Sequence, residues 1–271
     1  MHNTTKLSCV FYDTETTWKN EEKNDQIIQI AARTYGDFEW NIIESNVEEK
    51  FSATKKIWFG AMATHHITES MIEWKAKFEE SETYKLMKRL NDEWRIFVAH
   101  NAKFDNQMML QHWIEVKRYI CTFKLARYVL FEDEACESHN LQYLRYYFGL
   151  EFDERIDAHD ALSDVLVLVK VFEKLFQLFI EKEADKDVDQ THEDFIQQTL
   201  RIMERISKEP SLIRVVPFGK HKWKTFEELA RTDFWYITRY FGQSQNDPDI
   251  VHSMKTAMKK VKWNSTSKAP F

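Results

Sequence analysis

The sequence holds 271 residues, 43% apolar and 14% aromatic, which is enough to bury one substantial domain with a smaller unit beside it. With 30% charged residues and a net charge of −6, it is neither a disordered chain nor a uniformly basic nucleic-acid coat. Its five glycines are too far apart for a GxGxxG or phosphate-loop motif, which excludes Rossmann dinucleotide binding and P-loop NTPase chemistry.

In chain order, residues 1–7 carry no apolar signal core, and Leu7–Tyr12 is a short apolar run that predicts a buried strand. Ile27–Tyr35 and Phe38–Glu44 flank Gly36 and Asp37 and predict a hairpin. Ser81–Trp94 has helical spacing, Arg95–Ala99 reads as a short strand, and Phe104–Val116 reads as a helix. Leu141–Phe148 is a helix closed by Gly149, and Asp160–Phe179 is the longest apolar helix, with Asp160 as its N-cap. Antiparallel strands followed by alternating helices and strands predict an α/β fold, a mixed sheet with helices on its faces. The acidic stretch Glu181–Asp194 reads as an exposed connector or a helix end. The longest aliphatic run, Val165–Val169, is too short to cross a bilayer, so no membrane partner is expected. Cys9, Cys121 and Cys136 form no CxxC pair, so neither a disulfide framework nor a Cys-rich zinc site is expected, and a reducing cytoplasmic location fits.

All four prolines fall in the last quarter, and the charge changes there. From residue 211 onward eleven Lys and Arg face five Asp and Glu, a balance of +6, which leaves −12 on residues 1–210. Within this basic tail, Thr225 with Glu228 is a capping box that opens a short helix, and Asp233 caps another ending near Gly242. The expected division is therefore 1–180 as the main domain, 181–210 as an acidic connector or helix, and 211–271 as a small basic C-terminal domain.

The carboxylates carry the chemistry. Asp13 and Glu15 end the first strand, and residues two apart share one strand face. Asp105 opens the helix after the strand Arg95–Ala99. Asp164 lies one turn into the long helix among Leu162, Val165, Leu166 and Leu168, where an unpaired charge is costly. Taken singly, each acid reads as a cap or a solvated charge. Taken together, hard oxygen ligands favour Mg²⁺ or Mn²⁺, and such clusters hold two ions about 3.5–4 Å apart for in-line attack on phosphate. His159, at the mouth of the long helix, is placed by type to take the proton from the attacking water.

The joint pattern is Asp-x-Glu, then Asn-x-x-x-Asp at Asn101–Asp105, then His-x-x-x-x-Asp at His159–Asp164. It resembles the three motifs of the DEDDh family, the DnaQ-like 3′→5′ exonucleases. Ala63–Thr68 resembles the family's His-Gly-Ile-Thr stretch, with His66 where Gly is usual. Thr122–Arg127 resembles its Asp-Thr-Leu-x-x-Ala-Arg stretch, with Cys121 in place of Asp, and Ser138–Leu144 resembles Ser-His-x-Leu-x-x-Leu. The likeness spans roughly residues 5–178 and implies a ribonuclease H-like fold. It implies that Asp13 contacts both metals, that Glu15 and Asp164 bind the nucleophile-side metal, that Asp105 holds the second, and that His159 is the general base. It further implies that Thr14, Thr16 and Thr17 grip the terminal nucleotide, with Asn101 near the scissile phosphate and His65 in the substrate site. Trp18 stands where the family has a wedge residue; it reads either as a platform for the last base or as a rim aromatic.

Val215–Lys224 resembles the Pro-Phe-Gly-Lys-x-Lys-Gly-Lys core of the small C-terminal domain of exonuclease X-like proteins, with Trp223 replacing the second Gly. Lys220, Lys222 and Trp223 would hold a strand of nucleic acid; the alternative is a compact basic turn with solvated lysines. The expectation is a two-metal 3′→5′ exonuclease acting on single-stranded nucleic acid or 3′ ends. DNA is favoured by the tail, an exoribonuclease or a non-catalytic polymerase-associated module being the alternatives. Dimers are common in the resembling family, so a homodimer is one expectation.

Overall fold

The computed structural model describes residues 8–18, 24–36, 43–152, 160–183, 192–241 and 247–266. Five strands, β1 (Cys9–Thr16), β2 (Ile27–Tyr35), β3 (Ile43–Lys50), β4 (Ile96–Ala99) and β5 (Tyr119–Cys121), form one mixed sheet in the order β3-β2-β1-β4-β5. The first three strands are antiparallel, and β4 and β5 run parallel to β1. The helices are α1 (Phe59–His65), α2 (Glu69–Ile72), α3 (Glu82–Asp92), α4 (Lys103–Gln111), α5 (Thr122–Val129), α6 (Leu141–Tyr147), α7 (Ala161–Glu183), α8 (His192–Lys208), α9 (Phe226–Thr232), α10 (Phe234–Phe241) and α11 (Pro248–Thr266). No described helix is long and apolar enough to cross a membrane.

The period-two alternation of the strands divides the core. Cys9 and Phe11 of β1, Ala31 of β2 and Val98 of β4 face the long helix α7, where they meet Val165, Leu168 and Phe172. Val10, Tyr12, Ile30 and Phe97 face the other way, onto Met87 and Leu90 of α3 and Met108 and Met109 of α4. Phe172 packs edge-on against Phe11, ring centroids 5.3 Å apart, and truncation of such a buried ring to Ala costs about 3–5 kcal/mol. Asp160 caps α7 as the sequence implies, its Oδ2 accepting from Ser163 N at 3.2 Å. The connector region carries α8, whose Ile196, Leu200 and Met203 join the α7-side core. Ser207 Oγ of α8 accepts the Cys121 amide at 2.8 Å, so the helix alternative for this region holds over α8, while residues 184–191 lie outside the described ones.

Two element boundaries differ from expectation. The second hairpin strand lies later, at Ile43–Lys50, and residues 38–42 of the expected strand fall outside the described ones. β3 is an edge strand pairing only with β2, and its charged residues disguise it in the sequence while protecting the edge. The helix expected to reach Val116 stops at Gln111. His112 leaves the helix to bind elsewhere: its Nε2 accepts Ile27 N at 3.1 Å and its Nδ1 meets Glu79 Oε1 at 2.7 Å. Trp113 then turns left-handed (φ 67°), with Ile114 N returning to Met109 O at 2.9 Å. The same helix ending follows α6, where Gly149 takes the left-handed place (φ 61°) and Leu150 N returns to Arg145 O at 2.9 Å.

The C-terminal unit has its own core of Val216, Phe226, Leu229, Ile237, Ile250 and Met254. The capping box forms as the sequence implies, with Thr225 N donating to Glu228 Oε2 at 2.8 Å and Glu228 N to Thr225 Oγ1 at 3.1 Å. Asp233 caps α10 by accepting Tyr236 N at 3.1 Å. The unit is tied to the body by Arg127 with Asp249 at 2.6 Å; within the unit, Ser211 N donates to the same carboxylate at 2.8 Å.

Both residues that stand where glycine is expected occupy left-handed backbone. His66, at the end of α1, has φ 59°, and Trp223 has φ 76°. A side chain there costs energy because Cβ crowds the following carbonyl. His66 is exposed, so His66→Gly removes that strain without opening a cavity. It is expected to raise the unfolding free energy by about 1 kcal/mol in urea titration; a loss of stability would contradict this reading of the α1 cap.

Candidate active site

The site forms where β1 outruns its neighbour. β4 pairs with β1 along Cys9–Phe11, so among the described residues no strand pairs with β1 at Asp13–Glu15 on that side. Because Cys9 and Phe11 face α7, the period-two rule places Asp13 and Glu15 on that same face. Asp164 arrives from the first turn of α7, and Asp105 from the first turn of α4. Between β4 and α4 the chain reverses at Asn101 (φ 64°), a residue type that tolerates left-handed backbone.

Two of the carboxylates are held by hydrogen bonds. Asp105, 3% exposed, accepts from Thr14 N at 3.1 Å and Thr14 Oγ1 at 2.8 Å. Asp164, 8% exposed, accepts from Gln142 Nε2 of α6 at 2.6 Å. Burial, and then the charges of Asp105, Glu15, Asp164 and Asp160, push the Asp13 carboxyl well above the usual range. Burial, with Asp164, Asp105 and Asp160, pushes Glu15 up to about 8. Burial raises Asp105 to about 7, although its bonds from Thr14 pull the other way. No Lys or Arg among the described residues forms an ion pair with Asp13, Glu15 or Asp105.

This is the donor set that a hard divalent cation requires: buried carboxylate oxygens, mutually repelling, without a protein cation to offset them. Among the described residues no three His, Cys, Asp or Glu side chains are gathered into a ready-made ligand set. The carboxylates act on one another through their charges, while Thr14 orients Asp105 and Gln142 orients Asp164. The residue types therefore fit a cation that draws them together. His159 lies outside the described residues.

The other expected site residues fall into two groups. Around the site, the threonine hydroxyls are all engaged inside the protein. Thr14 binds Asp105, Thr16 donates to the Trp18 carbonyl, and Thr17 Oγ1 accepts Gln26 N at 3.1 Å and meets Asp25 at 3.3 Å. They shape the end of β1 instead of projecting free groups. His65 is likewise buried; its Nδ1 accepts Ile67 N at 3.0 Å and its Nε2 lies 3.3 Å from Thr16 O, which ties α1 to β1. Trp18 packs on Trp58 with the planes tilted by 40° and ring centroids 4.3 Å apart, and the Lys55 ammonium lies 5.9 Å from its ring. Asn101 is exposed beside the carboxylates' strand end. The second group, Lys220, Lys222 and Trp223, belongs to the C-terminal unit and not to the sheet edge.

The sequence alone missed Gln142, Trp58 and the charge of Asp160. Gln142 carries no signal beyond its place in the Ser138–Leu144 stretch, and Trp58 lies in an irregular segment. Asp160 was legible only as a cap, because its second effect depends on where α7 begins relative to β1.

Comparison with known proteins bears on the family and the fold. The family described as Exonuclease matches residues 10–172. The PolC-type DNA polymerase III of Staphylococcus haemolyticus is 28% identical over 201 residues, 70% of this chain but only 13% of that protein. Exodeoxyribonuclease 10 of Escherichia coli is 27% identical over 196 residues, covering 72% of this chain and 76% of that protein. Among solved structures, exonuclease X in complex with 5′-overhanging duplex DNA superposes with a TM-score of 0.51 at 22% identity, over 74% of this chain and 99% of that one. A structure of exonuclease I gives 0.51 at 20% identity, over 65% of this chain and 43% of that one. These likenesses show a ribonuclease H-like fold.

Two predictions follow from the charges. In a chelating buffer, Asp13→Asn removes a carboxyl that burial and its neighbours' charges make costly to ionise, so it should raise Tm by about 2–4 °C for each kcal/mol of that cost relieved. An unchanged or lower Tm in a folded variant would show that the four acids do not repel. The second prediction concerns His100 and His139. Burial, chiefly, holds both down to about 4 from the ordinary 6.5. The folded state keeps them neutral, so stability is lost as pH falls from 6.5 towards 4, where the unfolded chain binds more protons. His100→Asn and His139→Asn should each flatten that acid limb in denaturant titrations; a slope as steep as wild type would refute the assignment.

Proposed function

The chain belongs to the exonuclease family, in its DnaQ-like 3′→5′ branch, and from that premise we propose that it hydrolyses nucleic acid from 3′ ends to nucleoside monophosphates, with DNA as the preferred substrate. Water attacks the terminal phosphorus, the bond from phosphorus to the preceding 3′ oxygen breaks, and a nucleoside 5′-monophosphate leaves a new 3′ hydroxyl behind. The observation that carries this reading is the mutual charge coupling of Asp13, Glu15, Asp105 and Asp164 at the open end of β1. These four would hold two divalent cations, Mg²⁺ or Mn²⁺. When bound, such ions lower the pKa of water and neutralise charge on the phosphoryl oxygens.

The protein groups prepare the rest. Thr14 orients Asp105, and Gln142 orients Asp164. His159 takes the proton from the attacking water. Trp18, supported from behind by Trp58, offers its ring to the terminal base, and Asn101 lies on the exposed turn where the scissile phosphate would pass. The preference for DNA is supported by the names of the relatives, an exodeoxyribonuclease and a DNA polymerase. It is also supported by the C-terminal unit, whose Pro-Phe-Gly-Lys core resembles that of exonuclease X-like proteins.

The test is digestion of 5′-labelled single-stranded DNA and RNA of one sequence, with Mg²⁺, with Mn²⁺ and with chelator. The expected result is a ladder shortening from the 3′ end, faster on DNA, and absent with chelator. Asp13→Asn and Asp164→Asn should abolish the ladder, and His159→Ala should slow turnover by about 10²–10⁴-fold. Cleavage that survives chelation, or near-normal turnover in Asp13→Asn, would place the chemistry elsewhere. A ladder on RNA alone would replace the DNA preference by an exoribonuclease.

A further inference from the structure

The basic loop Lys220–Lys224 is the part of the tail that reads as a strand grip, yet the structure closes its first lysine. Asp233 receives Lys220 Nζ at 2.8 Å and His221 Nε2 at 2.9 Å, and these two partners hold its carboxyl down to about 2. The charge of this triad is thus largely used internally. Beside it, between the turn at 217–220 and α10, opens a cleft of about 620 Å³. Its floor is Phe218 stacked on Tyr240, centroids 5.6 Å apart and planes at 23°. One wall is Tyr236, over which Lys220 Nζ sits at 5.6 Å. The other is the outward face of α10, with Trp235 and Arg239 one turn apart.

The two faces of α10 differ sharply. Ile237 is fully buried and anchors the helix in the C-terminal core, whereas Trp235 is 82% exposed. The Trp235 indole lines the same cleft as three further rings, Phe218, Tyr236 and Tyr240. Arg239 is exposed and forms no ion pair among the described residues. Residues four apart on a helix stand about 5–6 Å from each other. A flat ring and a cation at that separation match a base and its phosphate, and they lie in a unit of charge +6.

We propose that this cleft is a second nucleic-acid site, in which Trp235 stacks on a base of an unpaired strand and Arg239 contacts its phosphate. It rests on the exonuclease reading only in taking that strand to be the substrate upstream of the cleaved end. The grip of the tail is thereby centred on α10 instead of the lysine loop. It reads no sequence, because every base presents a π-face.

The experiment measures binding without cleavage. Fluorescence anisotropy of the full chain in chelator is recorded with a long single-stranded DNA, the matching RNA and a trinucleotide, across a salt series. Trp235→Ala is expected to weaken long-strand binding about 5- to 150-fold, the equivalent of a lost base stack. Trp235→Phe should recover most of it, and Arg239→Ala should reduce the salt slope by about 0.7. Trinucleotide hydrolysis with Mn²⁺ should be unchanged in all three variants. If Trp235→Ala, shown to be folded by circular dichroism, binds the long strands like wild type, the inference fails while the exonuclease reading stands. If wild type binds neither DNA nor RNA, the inference fails. Trp235-dependent binding by a chain that hydrolyses nothing would keep this inference and overturn the catalytic one.

Discussion

Four carboxylates brought against one another at the end of a buried strand set the terms for the rest of this molecule. Like charges at such spacing destabilise the fold that assembles them, and burial adds a desolvation penalty. The elements that deliver them therefore need strong support elsewhere. β1 is paired on both sides along its apolar half and packed between two hydrophobic layers. α7 brings Asp164 to the site at the head of 23 residues whose apolar face fills the larger core. α4 brings Asp105 on a short helix fixed by Met108 and Met109 below and by Thr14 above.

Much of this arrangement is legible in the sequence because it depends on short-range periodicity. Asp13 and Glu15 share a face since strands alternate, and Asp164 lies in the first turn of α7 since the cap at Asp160 fixes where that helix starts. What escaped the sequence depends on contacts between distant segments. Gln142 is 22 residues from Asp164, and Thr14 is 91 from Asp105. The end of α4 illustrates the same limit. Its apolar pattern continues past Gln111, but the bonds of His112 to Ile27 and Glu79 outweigh one further helical turn. β3 was displaced for another reason: an exposed edge strand carries little apolar alternation to detect.

Departures from the family pattern carry structural information of their own. His66 and Trp223 replace glycine, and both positions prove to be left-handed, so the backbone conformation persists though the residue type that favours it does not. The strain is tolerated because the neighbouring bonds over-determine the turn: His66 N still returns to Met62 O at 2.8 Å, and Trp223 N reaches Val216 O at 3.0 Å. In the C-terminal unit the consequence is an exposed indole at Trp223, and the Arg127–Asp249 pair fastens that unit to the nuclease body.

The central claim is that repulsion among Asp13, Glu15, Asp105 and Asp164 is resolved by divalent cations. Calorimetric titration of the full chain with Mn²⁺ at neutral pH tests it most directly, because it needs no substrate. The account predicts saturable uptake of about two ions per chain, lost or halved in Asp13→Asn. Uptake that is absent, or the same in Asp13→Asn as in wild type, would contradict it.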